Sequence, residues 1–136
     1  MIAREVRFLI VGGHAVSFHG YPRFTHDVDV VVLPEQANVE ALLAALLDFG
    51  FGSVSLQVAD FLQPTTVVLG RPPAQIDIMT FIKGVDLGDA WTRREVGALD
   101  GVEVAFISRQ DLLANKRAVG RPEDLADIAR LSDPSS

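Results

Sequence analysis

The chain has 136 residues, is 49% apolar, contains no cysteine and carries a formal net charge of −6. One domain with a real core fits that length and composition, and general disorder, a disulfide framework and thiolate metal sites are excluded. The acidic balance argues against broad charge-driven binding to nucleic acid, although a small basic patch for one RNA end is compatible with it.

The opening "MIAREVRFLIVGGHAV" runs into Gly-Gly before it reaches the length of a secretory leader. "VEALLAALLDFGF" is too short to cross a bilayer. The expectation is a cytoplasmic protein without membrane contact, with residues 1–131 as one domain and 132–136 as a flexible tail.

Taken in chain order, Val6 to Val11 is a compact apolar run that predicts a buried strand ending at Gly12-Gly13. His14 to His19 predicts a short helix, stopped by Gly20 and Pro22. Asp27 to Leu33 predicts a second strand, closed by Pro34. Glu35 to Phe49 is a strongly apolar helix with Gly50 as its cap. The segment from Gly52 to Leu69 is the least regular, with a helical or irregular piece near Phe61 and a strand over Val67 to Leu69. Gly70-Arg71-Pro72-Pro73 marks a turn before a strand from Ala74 to Phe81.

A short helix follows over Asp86 to Trp91. Glu95 to Leu99 and Val102 to Ile107 form a hairpin across Asp100-Gly101. Ser108-Arg109-Gln110-Asp111 has the Ser-x-x-Asp form of a helix start. That helix runs to about Val119, and Gly120 ends it. Pro122 opens a last helix that reaches Leu131. This order predicts an α/β (α+β) fold, a mixed β-sheet with helices packed against it.

Two features of this pattern carry chemistry. Residues two apart on a strand share a face, so Asp27 and Asp29 point the same way, about 7 Å apart at their origins. Val28, Val30 and Val32 turn to the other side, toward a core. Asp77 in "QIDIM" repeats the arrangement with a single acid. If the two strands are neighbours, three carboxylates converge. Clustered carboxylates raise one another's pKa until a cation relieves them, and oxygen donors of this kind suit Mg²⁺ or Mn²⁺. The competing reading of a lone Asp-x-Asp is the solvated face of an edge strand.

The second feature is Gly12-Gly13, which closes a strand and opens a helix. Glycine permits close backbone approach, and N–H groups at a helix start favour an anion. Neither the Gly-x-Gly-x-x-Gly fingerprint nor a P-loop is present here.

Together "GG" at 12–13, "HG-x-PR-x-T-x-DVDVVV" at 19–32, "IDIM" at 76–79 and "K…R-x-x-D-x-x-D" at 116–127 resemble the DNA polymerase β-type nucleotidyltransferase superfamily. The nearest resemblance is to the small bacterial AbiEii-type, abortive-infection toxin-like members. It spans about residues 8 to 131. It implies the nucleotidyltransferase fold and transfer of a nucleoside monophosphate from an NTP to an acceptor hydroxyl, with Mg²⁺ or Mn²⁺. The acceptor would be a tRNA end, a protein or a small molecule, and an antitoxin protein is an implied partner.

In that resemblance Asp27, Asp29 and Asp77 hold the metals and carry the catalysis. Gly12, Gly13 and the backbone at His14 cradle phosphate, and Lys116 reaches the triphosphate. Gly13 stands where many members have serine, which removes one hydroxyl ligand.

Arg23 and Thr25 precede the acids at alternating positions, so they share a side with Asp27. Arg23 is a candidate to neutralise phosphate charge. Asp124, Ile128 and Leu131 share a stripe of the last helix, with Asp127 at its edge. Arg121 pairs with Asp124, or Asp124 orients Lys116. The spacing of His14, His19 and His26 disfavours a histidine metal site. Trp91, Phe61 and Phe106 read as core. Two other functions stay open: a catalytically inactive binding or regulatory protein on the same fold, and a metal-dependent phosphohydrolase.

Overall fold

The computed structural model describes residues 6–20, 27–48, 57–70, 75–99 and 101–132. Expectations placed on Arg23, Thr25, His26, Gly50, Arg71 to Pro73, Ala74 and Asp100 lie outside them.

The first strand, β1 (Phe8–Val11), is buried along its whole length and runs directly into helix α1 (Gly12–Phe18). Strand β2 (Val28–Val32) and helix α2 (Gln36–Asp48) follow. A 3-10 turn over Val58–Phe61 leads to β3 (Thr66–Leu69) and β4 (Ile76–Met79). Helix α3 (Leu87–Thr92) precedes the hairpin β5 (Glu95–Leu99) and β6 (Val102–Phe106). Helices α4 (Arg109–Val119) and α5 (Pro122–Ser132) complete the order.

The described strands form one six-stranded sheet in the order β3-β4-β2-β1-β6-β5. Strand β1 is antiparallel to β2 and parallel to β6; β2 and β4 are parallel; the β3–β4 and β5–β6 pairs are antiparallel. The mixed sheet expected from the element order is what forms. Strands β1 and β2 lie inside it, as their near-continuous apolar runs require.

The core occupies more of β2 than its alternation suggested. Val30 and Val32 are buried as expected, but so is Val31, on the face that carries Asp29. That face is therefore not simply solvent or site. Its inner half is covered, and Asp29 lies toward the open end.

Polar side chains pin the helices in register. Buried Asn38 of α2 donates to the carbonyls of Leu33 and Arg7, and its Oδ1 accepts from the Arg7 backbone N–H at 2.6 Å. Ser108 caps α4 by accepting from the Asp111 backbone N–H at 3.1 Å. The Asp111 carboxylate turns to Arg93 in a two-point contact at 2.8 and 3.0 Å, so the helix start is also tied to the end of α3. Gly120 ends α4 with φ +70°, a left-handed cap that a residue with a Cβ adopts only with strain.

Some boundaries differ from the sequence pattern. Strand β1 starts at Phe8 rather than Val6, and α1 starts at Gly12 rather than His14, so both glycines belong to the first turn of the helix. Strand β4 ends at Met79 because the Thr80 hydroxyl turns to the Gln63 carbonyl at 2.7 Å, and Phe81 is left exposed. Phe61 and Phe106 are core as expected, whereas Trp91 is only partly buried and carries the Arg94 guanidinium 4.1 Å above its ring.

Candidate active site

Register brings the acids together. Strand β2 pairs Asp29 with Val11 on one side and with Asp77 on the other, and Asp77 in turn pairs with Val68 of β3. Val11, Asp29, Asp77 and Val68 thus form a single row across four strands, and paired residues of adjacent strands project to the same face. A shift of one residue in either strand would turn one acid to the opposite face.

The neighbouring Asp77 carboxylate acts on Asp29 through its charge and through hydrogen bonding, and both influences raise the Asp29 pKa. Burial is the main cause that lifts the Asp29 pKa from 3.8 to about 6; the charges of Asp77 and Asp27 add to it, and the His14 imidazole opposes them. Gln75 was not singled out by sequence reasoning. Its amide nitrogen donates to Asp77 Oδ1 at 2.8 Å. Its position two residues before the acid, on the same face of the strand, was the available signal.

Gly12 is the other half of this site. Its φ is +67°, and a Cβ built on it would collide with Asp29 Oδ2 and stand 3.0 Å from the Asp29 carboxyl carbon. Glycine is required there for space as well as for conformation. The turn was expected to accept an anion; its observed neighbour is a carboxylate that a cation would have to bridge.

A cavity of about 180 Å³ opens against Gly12 and Asp29. It is walled by Val11, Gly12 and Asp29 from the sheet side and by Leu112, Asn115, Lys116, Arg121 and Asp124 from α4 and α5. Lys116 therefore reaches the same cavity as Asp29, but its Nζ is already engaged. It donates to Asp127 Oδ2 at 3.0 Å and lies 3.5 Å from Asp124 Oδ1.

Asp127, expected at the edge of its helix stripe, is 1% exposed. Positions 124, 127, 128 and 131 all fall within one face of a 3.6-residue helix, which is why the edge position is covered. Arg121 holds Asp124 through Nε at 2.7 Å, and both pairings anticipated for Asp124 are present. The guanidinium keeps the Asp124 carboxyl below its ordinary range.

Asp27 sits just before β2, half-buried and within electrostatic reach of Asp29. Among the described residues no three His, Asp or Glu side chains close into a ready-made metal cage. The donor chemistry nonetheless fits a hard divalent cation. Two facing carboxylates, one with its pKa raised to about 6 by burial and by the charge of its neighbours, are relieved when a cation binds between them. His19 is occupied elsewhere, with Nε2 2.7 Å from the Ile107 carbonyl oxygen.

A mixed six-stranded sheet with helices against it, bearing acids on adjacent inner strands beside a glycine turn, is a nucleotidyltransferase-like fold. Residues 2–132 match the protein family described as "Nucleotidyltransferase of unknown function (DUF6036)", and the chain belongs to that family. Its fold is similar to that in the crystal structure of the lincosamide antibiotic adenylyltransferase LnuA with lincomycin bound. That similarity has a TM-score of 0.55 and 16% identity, and covers 97% of this chain and 89% of that one. No curated protein matches the chain by sequence. No helix among the described residues is long and apolar enough to cross a membrane.

Proposed function

We propose that this protein transfers a nucleoside monophosphate from an NTP to an acceptor hydroxyl, using the cavity between Asp29 and α4–α5. The observation that carries the reading is the in-register pair Asp29–Asp77, with Asp29 pressed against Gly12. A structural role gives no reason to place two carboxyls face to face with a glycine cut away beside them.

In this reading Asp27, Asp29 and Asp77 would hold Mg²⁺ or Mn²⁺, which supplies charge neutralisation for the triphosphate. The backbone N–H groups of Gly13 and His14 face phosphate oxygens from the start of α1. The acceptor oxygen attacks the α-phosphorus, the bond to the bridging oxygen breaks, and pyrophosphate leaves. The hydroxyl proton passes to the Asp77 carboxylate, which Gln75 holds in place through Oδ1. The motif resemblance to AbiEii-type proteins adds an antitoxin as an expected partner.

The test incubates the protein with each of the four α-labelled NTPs, Mg²⁺ or Mn²⁺ and a total cell extract. The expected result is label on an acceptor together with pyrophosphate release, both absent in Asp29→Asn. Orthophosphate release without label transfer identifies a phosphohydrolase. Metal-dependent NTP binding without turnover identifies a binding or regulatory module.

A further inference from the structure

We infer that Arg121, rather than Lys116, takes the terminal phosphates of the nucleotide, and that Lys116 is a positioning residue that locks α5 onto α4. The inference rests on the proposed nucleotidyltransferase reading and assigns its anion-binding residue. Both cations line the same cavity as Gly12 and Asp29. They differ in what already neutralises them and in how far they can move.

The Lys116 side chain is 9% exposed and lies between two carboxylates that are 3% and 1% exposed. An ammonium is a compact charge with three donors, and here it balances Asp124 and Asp127 at once. For Lys116 to swing toward a phosphate, its ammonium would have to give up its contacts with Asp127 at 3.0 Å and Asp124 at 3.5 Å. Pulling one partner out of ion pairs at that depth is strongly disfavoured. Lys116 therefore stays where it is when an anion arrives.

Arg121 is built the opposite way. Its side chain is 61% exposed. Nε and Nη2 approach the Asp124 carboxylate at 2.7 and 3.3 Å, which fixes the plane of the guanidinium. Nη1 meets the exposed Glu123 at 3.2 Å, a contact that solvent weakens. A guanidinium has five N–H donors in a planar fork, so its outer edge keeps donors for two phosphate oxygens while Asp124 holds the inner edge.

Asp124 does not depend on Arg121 alone. The Arg121 backbone N–H donates to it at 3.1 Å, and Lys116 lies 3.5 Å away. Losing the Arg121 head therefore leaves the α4–α5 junction partnered, which makes the residue testable by substitution.

The probe is inorganic tripolyphosphate with Mn²⁺, titrated calorimetrically into the full chain, because it isolates phosphate recognition from base and acceptor. Arg121→Gln is expected to weaken binding at least tenfold with little change in melting temperature, and Arg121→Lys to recover part of the loss. Lys116→Met is expected to lower the melting temperature clearly and, where it folds, to bind within about threefold of wild type. Arg121→Gln at wild-type affinity overturns the inference, whether or not Lys116→Met folds. Loss of binding in a folded Lys116→Met with Arg121→Gln unaffected returns the role to the lysine. A wild-type chain that transfers label while Arg121→Gln binds normally removes this inference alone. A wild-type chain that binds no tripolyphosphate in Mn²⁺ removes the nucleotidyltransferase reading with it.

Discussion

Two clusters of charge meet at one cavity, through Asp29 on one side and Lys116, Arg121 and Asp124 on the other, and they are built on opposite principles. On β2 and β4, Asp29 and Asp77 stand side by side with like charge, and Asp29 holds its proton up to about pH 6. On α4 and α5, Lys116, Arg121, Asp124 and Asp127 alternate in sign, and Asp124 is held below its ordinary pKa. The first cluster is destabilised by its own geometry and is relieved only by something from outside. The second is already satisfied and ties two helices together. The same residue type, aspartate, thus forms a like-charged pair in one region and a structural joint in the other, and the neighbours decide which.

The comparison breaks most visibly if the first cluster proves structural. Asp29→Asn should lower the rate of label transfer by about a thousandfold or more, since it removes a charge that only the bound nucleotide and metal need. Its melting temperature should stay level or rise, because a repelling carboxylate is gone. A variant that unfolds instead would place Asp29 with the structural acids.

The second cluster should respond in the reverse sense. Asp127→Ala leaves the Lys116 charge buried beside Asp124 alone and should cost about 3–5 kcal/mol of stability. Chemical denaturation measures this directly. A loss under about 1 kcal/mol would mean that the joint is not what holds α5.

Proton linkage separates the clusters without mutation. Between about pH 4 and 6 the folded chain keeps a proton at Asp29 that the unfolded chain has lost. The Asp29 contribution to stability therefore falls as pH rises through that window and stays low above it. Asp124 has the opposite sign: its contribution is full above pH 3.8 and is lost as pH falls through its lowered folded value. Mn²⁺ should accordingly raise the melting temperature more at pH 8 than at pH 5, and this difference should vanish in Asp29→Asn. Equal metal effects at both pH values would contradict the carboxylate assignment.

The smallest effect is expected at the start of α4. Ser108→Ala removes the cap that accepts from Asp111 and should cost about 1 kcal/mol, with NTP affinity shifted only slightly. A large loss of nucleotide affinity there would show that the position of α4 is set by its cap rather than by the Lys116 joint.

Several elements are legible in the sequence alone. Period-2 alternation placed Asp27 and Asp29 on one side of a strand and repeated the feature at Asp77. Ser108, Gly120 and Pro122 bounded the last two helices because caps and breakers act locally. The middle of the chain was harder, since Val58–Phe61 is one 3-10 turn whose start is held by the Gln57 and Asp60 side chains. Gln75 and Arg121 were visible as residues but not as members of the site, because their roles depend on partners across the sheet and across a helix joint.

By itself the sequence determined a mixed α/β chain with a glycine turn, an Asp-x-Asp pair at the start of a strand and a third acid awaiting a neighbour. These follow from local rules: side-chain periodicity, capping chemistry and the conformational range of glycine. Only the tertiary structure decided that β2 and β4 are adjacent and in register, so that Asp29 meets Asp77. It also decided that Asp127 is buried, that Lys116 is bound between two acids, and that Gly12 yields its Cβ space to a carboxylate. Those facts depend on strand register and helix packing, which arise from contacts between segments 48 residues apart, as for Asp29 and Asp77, or from the angle at which two helices meet.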